Sequence, residues 1–337
     1  MDSLEREFYD LMSSHKRAMK IKDCFHHKKE ECKGKIKQAH SIQRNGRLSI
    51  IEADIKGNKS IYSFSNPKIS DRSPMEDLIP LGKKEASTFF GFCDYHDTTL
   101  FSPVENFPFD NSSKHCFLHS YRSFAHSYHR KREELKGYSD PNSELVKKAH
   151  HLFETMQIGA KVGLDELEPY KKRLDQMIEN EIYDDLEYFV FEKEGLFPFA
   201  VSSLMSPDVT YSGKSMNNHI DFSIPFSQPM ISFLPDKTST FVILAAFPDD
   251  HKSIVLFDEL NELNDLQLEK AITSLIIANC ENTFFSPLFW NSLSSKEKRS
   301  FLDEFIANTL LETYRNKFFI SRFNFFSNRF EMKTLLE

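Results

Sequence analysis

The sequence predicts an α+β protein: an amino-terminal module pinned by cysteine and histidine knuckles, a helical middle, and a carboxy-terminal antiparallel sheet with helices. Three observations predict it. Cys24, Cys32 and Cys93, three of the five cysteines, lie beside turn-forming or histidine-rich segments in the first third of the chain. Helical periodicity then runs from about residue 113 to 187. Beyond it, short aromatic and β-branched runs are cut by Pro, Gly and Asn, as in antiparallel sheets. The expected division is 1–110, 111–187 and 188–337, the last an α+β unit whose role the sequence does not assign.

At 337 residues the chain is long for one domain and comfortable for two. Its 33 Phe against ten Gly argue for filled cores over flexible linkers. No apolar run reaches the roughly 18–20 residues needed to cross a bilayer, so no membrane is expected. The charged start, Met1 to Glu7, lacks the apolar core of a secretory signal, and an odd cysteine count argues against a disulfide framework. A cytoplasmic setting is the default expectation. The net charge of −7 hides an asymmetry. Residues 1–150 carry 26 Lys and Arg against 21 Asp and Glu, whereas residues 151–337 carry 17 against 29. The basic residues concentrate in 15–47, which suits a phosphodiester partner or, equally, a solvated surface. The acidic half suits a protein partner.

Residues 3–20 read as an amphipathic helix with Leu4, Phe8, Leu11 and Met12 on one face. The knuckle from Cys24 to Cys32 leads through Lys33-Gly34-Lys35 into a short strand ending at His40. A helical turn over 47–53, a strand over 59–64 and a polar loop over 66–80 follow. Residues 85–92 return the chain to a second knuckle, Gly91 to Asp97, and Asp97 to Phe101 opens a helix. Ser112 or Ser113 caps a helix over 113–136 that Gly137 ends. On it His115, His119, Arg122, His126 and His129 recur at four- and three-residue spacing and so share a face. That stripe reads as a solvated helix face, with a phosphate groove or metal site as the alternative. Two further helices are expected at 143–160 and 165–187. Strands are expected over 188–192, 197–204, 220–226, 230–234 and 240–247. Helices over 265–282 and 294–314 close the chain, the latter opening on a Ser294/Glu297 capping box.

Cys24, Cys32, Cys93 and His96 supply four soft or borderline ligands, two from each knuckle, which suits a structural Zn²⁺. The Cys93-x-x-His96 spacing lets one turn offer two ligands. The wider Cys24–Cys32 spacing makes the first knuckle a bulged loop, in which His26 or His27 is an alternative ligand. Cys116 and Cys280 sit in apolar helix patterns and read as buried small hydrophobes.

A cysteine knuckle, a strand ending in Ala39-His40-Ser41-Ile42-Gln43, and a second knuckle followed directly by Asp97 together resemble the HNH (ββα-metal, treble-clef) nucleases. The run is also similar to a group of uncharacterised prokaryotic proteins, some of them expected near phage-defence genes. The likeness covers roughly residues 20–105. It implies that Cys24, Cys32, Cys93 and His96 hold the structural zinc, and that His40 is the general base. It implies further that Asp97 binds a catalytic Mg²⁺ or other divalent ion, and that Asn45 orients the base. DNA or RNA would be the substrate, with Lys35, Lys37, Arg44 and Arg122 as candidate contacts. The chain departs from the pattern in three ways. The second knuckle carries His where Cys is commoner, Ala39 replaces the usual acidic residue, and the glycine pair after the motif is absent.

Two bland alternatives stand beside these roles: His40 as a structural histidine or zinc ligand, and Asp97 as a helix N-cap. For the whole chain, the alternatives to a metal-dependent nuclease are a non-catalytic zinc module for nucleic-acid or protein interaction, and a hydrolase centred on Asn217, Asn218, His219 and Asp221.

Overall fold

The computed structural model describes residues 3–64, 77–218, 224–310 and 315–327. Helix α1 (Ser3–Met19) opens the chain, and β1 (Ile36–His40) follows the first knuckle. A π-type turn over Arg44–Leu48 and the single helical turn α2 (Ser49–Ile51) lead into β2 (Ala53–Ile55) and β3 (Asn58–Ser63). Gly57, with φ at +82°, closes that hairpin in a conformation open to few other residues. Strands β4 (Ile79–Gly82) and β5 (Thr88–Cys93) precede α3 (Asp94–Asn106), α4 (Ser113–Tyr138), α5 (Glu144–Lys148) and α6 (His150–Asn180). Then come β6 (Glu187–Glu194), β7 (Phe199–Leu204), β8 (Met230–Pro235), β9 (Ser239–Ala246), α7 (His251–Asn261), α8 (Asp265–Asn279), β10 (Thr283–Phe285), α9 (Pro287–Ser292) and α10 (Ser295–Phe305).

Two sheets form. β1 pairs only with β5, antiparallel, with His40 opposite Thr88. The larger, eight-stranded sheet runs β2-β3-β10-β7-β8-β9-β6, with β4 on β3, and every pairing in it is antiparallel. It therefore takes strands from both sides of residue 110. Arg47 adds a second tie, its Nη1 donating to Pro235 O at 3.1 Å and Asp236 Oδ2 at 2.5 Å.

The two-residue period of the strands sorts side chains to two cores. Phe199, Val201, Ile231, Phe233, Val242 and Leu244 face α7, α8 and α10 in one core. Met230 and Ala245, on the other face, join Phe92, Phe101, Tyr121, Phe124 and Leu174 in the second, which links the sheet to the cysteine module. Helix α4 lies between them, packed on β5, β7, β8, β9, α3 and α6. That position explains why nearly its whole circumference is buried from His115 to His129.

The histidine stripe is thus not a solvated face: His115, His119, Arg122, His126 and His129 are each at most 7% exposed. The sequence pattern misleads because α4 has layers on several sides, so a polar stripe still meets protein. Two other expectations change. The helices expected at 143–160 and 165–187 are the short α5 and the continuous 31-residue α6, which runs through Gly159, Gly163 and Pro169 and ends at left-handed Glu181. Packing of Leu167, Leu174 and Met177 under α4 outweighs the weak helix propensity of the glycines. On α1, whose side chains are described from Arg6 onward, Phe8 stands 52% exposed, and the buried residue among those described is His15, whose Nδ1 lies 3.1 Å from Ser143 Oγ. Of the strand expected at 220–226, residues 220–223 lie outside the described residues and 224–226 are not extended into a ladder.

Candidate metal centre and the adjoining polar cluster

The first knuckle is laid against β5 by backbone bonds from Asp23 N to Phe90 O (3.2 Å) and Phe25 N to Gly91 O (2.5 Å). Gly34, with φ at +75°, lets the chain pass over the start of α3, where a Cβ would meet Asp94 Cβ at 2.7 Å. β1 and β5 then bring the two knuckles together. Cys93 is both the last residue of β5 and the N-cap of α3, its Sγ accepting from His96 N at 3.5 Å. Cys24 Sγ likewise accepts from Cys93 N at 3.4 Å.

The result is a closed set. The ligand atoms of Cys24, Cys32, Cys93 and His96 all lie within 4.8 Å of one another, a group that can hold a metal ion. His96 Nδ1 is 3.4 Å from Cys24 Sγ, 3.7 Å from Cys32 Sγ and 3.3 Å from Cys93 Sγ. A tetrahedron with zinc–sulfur bonds of about 2.3 Å and a zinc–nitrogen bond of about 2.0–2.1 Å sets such separations near about 3.6 Å. The donor set and its spacing are compatible with zinc. Burial raises the Cys24 thiol, and burial with two neighbouring thiols pushes Cys32 up to about 12. Burial also acts against the Cys93 thiolate, but the N–H groups of His96 and Lys33 outweigh it and bring its pKa down. Three thiols this close resist ionising together, and a bound cation removes that resistance.

His26 and His27 are not in the ligand group. His26 stacks on His96 with centroids 3.9 Å apart, and His27 stacks on His26 at 4.6 Å. The second ring nitrogen of His96 is buried without a hydrogen bond, 4.0 Å from Glu31 Oε2. Among the described residues Glu31 is the nearest carboxylate to that nitrogen but stands beyond hydrogen-bond distance.

Beside this centre α3 presents Asp97, Phe101 and Glu105, at four-residue spacing on one face. Arg122 of α4 crosses that face with its guanidinium 4.0 Å above the Phe101 ring and Nη1 2.5 Å from Glu105 Oε1. His40, at the end of β1, has Nε2 3.2 Å from Lys83 O. A carbonyl can only accept, so Nε2 carries the proton and Nδ1 the lone pair. Burial brings the His40 pKa down to about 4, and Arg44, Arg122 and Glu105 are its charged neighbours. Asp97 shares two of these: burial raises its pKa, Arg122 and Lys37 oppose that rise, and Glu105 adds to it. His40, Asp97, Glu105 and Arg122 therefore form one electrostatic cluster.

Other candidates fall outside it. Asp97 is not an N-cap, since Cys93 holds that place. Asn45 is exposed in the π-type turn, its Oδ1 accepting from Arg44 Nε at 3.3 Å, and no contact joins it to His40. Lys37 is ion-paired to Asp94, and Lys35 is exposed at the knuckle's end. Asn217 is buried, donating to Pro207 O and Ser227 O and accepting from Ser227 N. It pins a loop, and His219 and Asp221 lie outside the described residues. Cys116 and Cys280 are buried thiols, as expected.

The sequence reading missed Glu105, though its eight-residue separation from Asp97 was a usable signal. It missed also a second group able to hold a metal ion, His150, His151 and Glu154, exposed at the start of α6. Among the described residues no helix is long and apolar enough to cross a membrane. Set beside protein families, curated proteins and solved structures, the chain matches none.

Proposed function

We propose that the chain is a nuclease built on a zinc-clasped, treble-clef-like module, with His40 as general base and Arg122 as the charge that meets the phosphodiester. The observation that carries this reading is the placement of an imidazole, two carboxylates and a guanidinium at the junction of β1, α3 and α4, next to the cysteine clamp. The order knuckle, β1, β5, α3, with two ligands from the knuckle and two from the first turn of the helix, supports the treble-clef comparison.

His40 is neutral at pH 7, and its Nδ1 is the atom free to take a proton from water. Asp97 offers a single carboxylate, so a catalytic divalent ion there would complete its shell with water and substrate phosphate and supply charge neutralisation. The test is incubation of purified protein with DNA and with RNA in Mg²⁺ or Mn²⁺. Cleavage is expected, falling by about a hundredfold or more in His40→Ala. Intact nucleic acid under every condition would overturn the reading.

One observation favours a second reading. Asp97 belongs to neither group of described residues able to hold a metal ion. A non-catalytic zinc module that binds nucleic acid, or a protein through the acidic half, would give salt-sensitive binding without cleavage.

A further inference from the structure

Among the described residues of the first half of the chain two arginines are buried, and they are not treated alike. Arg47 spends its Nη1 on two well-formed hydrogen bonds, to Pro235 O and Asp236 Oδ2. Arg122, only 3% exposed, makes none: its Nε and Nη1 are both buried without a hydrogen bond of good geometry. Among the described residues its only charged contact is one oxygen of Glu105. A guanidinium offers a planar fork of donors suited to two oxygens at once, and here that fork is left half used. Asp97 Oδ1, on the same helical face as Glu105, is also buried with no partner.

The two halves of the ion pair differ in freedom. The Arg122 side chain is 4% exposed and fixed over Phe101, whereas that of Glu105 is 34% exposed. Glu105 can leave, and Arg122 cannot. Around them stand Arg44 and Lys37, which act on His40 and Asp97 respectively. Lys37 is already paired to Asp94, so with Glu105 in place the two arginines face two carboxylates, Asp97 and Glu105. With Glu105 turned to solvent, the two arginines face Asp97 alone, an excess of one positive charge suited to a phosphodiester, whose two free oxygens match the guanidinium fork.

We infer that Arg122 is an anion-binding residue for the backbone phosphate of a nucleic-acid strand, and that Glu105 occupies this site with its own carboxylate until the phosphate displaces it. Glu105 is thus an internal competitor that weakens non-productive binding. The inference rests on the nucleic-acid part of the proposed function, not on catalysis.

The experiment is fluorescence polarisation with a short labelled DNA strand, without added Mg²⁺ or Mn²⁺, on the full chain. Glu105→Gln removes the competing charge and is expected to tighten binding by about fivefold or more. Arg122→Lys keeps the charge but loses the fork, and is expected to weaken binding by about tenfold. In the double variant the gain from Glu105→Gln disappears. Should Arg122→Lys fail to fold, Glu105→Gln decides alone. Unchanged or weaker binding in Glu105→Gln, or no binding by either protein, overturns the inference. A thermal shift of Glu105→Gln with inorganic phosphate, but no binding of the strand, overturns the nucleic-acid assignment in favour of a free phosphate. Binding that depends on Arg122 without any cleavage leaves the inference standing and removes the nuclease reading. Cleavage indifferent to both substitutions overturns the inference and removes Arg122 from the nuclease reading, leaving only its His40 part.

Discussion

Cys93 serves two structural purposes at once: its thiol belongs to the metal-capable cluster, and the same sulfur caps α3. The two can be separated. Serine is a good N-cap but a poor soft ligand, so Cys93→Ser should keep the helix start and lose the ion, while Cys32→Ser loses the ion alone. Elemental analysis should find about one zinc per chain in the wild type and close to none in either variant. A wild type with no zinc, or variants that retain it, would refute the assignment. His40 carries a second consequence at this scale. Its pKa is brought from about 6.5 in the unfolded chain down to about 4 in the folded one. As pH falls, the unfolded chain takes up that proton first. The contribution of His40 to stability is therefore complete above about pH 6.5 and fades as pH falls toward about 4, amounting to about 3 kcal/mol. His119 and His126, fully buried and held well below their ordinary values by desolvation, act in the same direction. Asp97 and Asp175, raised by burial, act in the opposite one. With the histidines dominant, the urea midpoint should be lower at pH 5 than at pH 7, and an equal or higher midpoint would contradict this account.

Helix caps and the short apolar strand runs were the elements most legible in the sequence. The Ser294/Glu297 box opens α10 with both reciprocal bonds in place, and Ser112 caps α4. Ser294→Ala should cost about 1 kcal/mol in chemical denaturation, whereas the same change at exposed Ser295, inside the helix, should be nearly neutral. The strands near 188, 199, 230 and 240 were readable as short aromatic and β-branched runs cut by Pro, Gly and Asn, and the four ligands because their chemistry is narrow. What could not be read was what each face meets. The stripe of His115 to His129 has the spacing and composition of a wetted surface, and only its position between β5, α6 and the sheet makes it interior. Strand β10, three residues long, carries no periodic signal and exists through its pairing with β3 and β7. The spacing of Glu105 from Asp97 showed a shared face, but its pairing with Arg122 was not legible, because Arg122 comes from the next helix and no local spacing reports the pair.

Across the whole molecule, the clamp and the sheet are not independent parts. Between Cys32 and Cys93 the chain leaves the small hairpin, contributes β2, β3 and β4 to the eight-stranded sheet, and returns. Treated as a cross-link, a metal ion gripping both knuckles closes that excursion and removes about 4 kcal/mol of unfolded-chain freedom. The excursion is itself fastened at its far side, since Phe284 and Phe285 of β10 pair with Ser63 and Tyr62 of β3. During synthesis the ring can be buckled as soon as His96 has emerged, long before the strand that seats it against the rest of the protein exists. The ion would then hold an unfinished sheet edge in readiness until β10 arrives nearly two hundred residues later to join the excursion to β7.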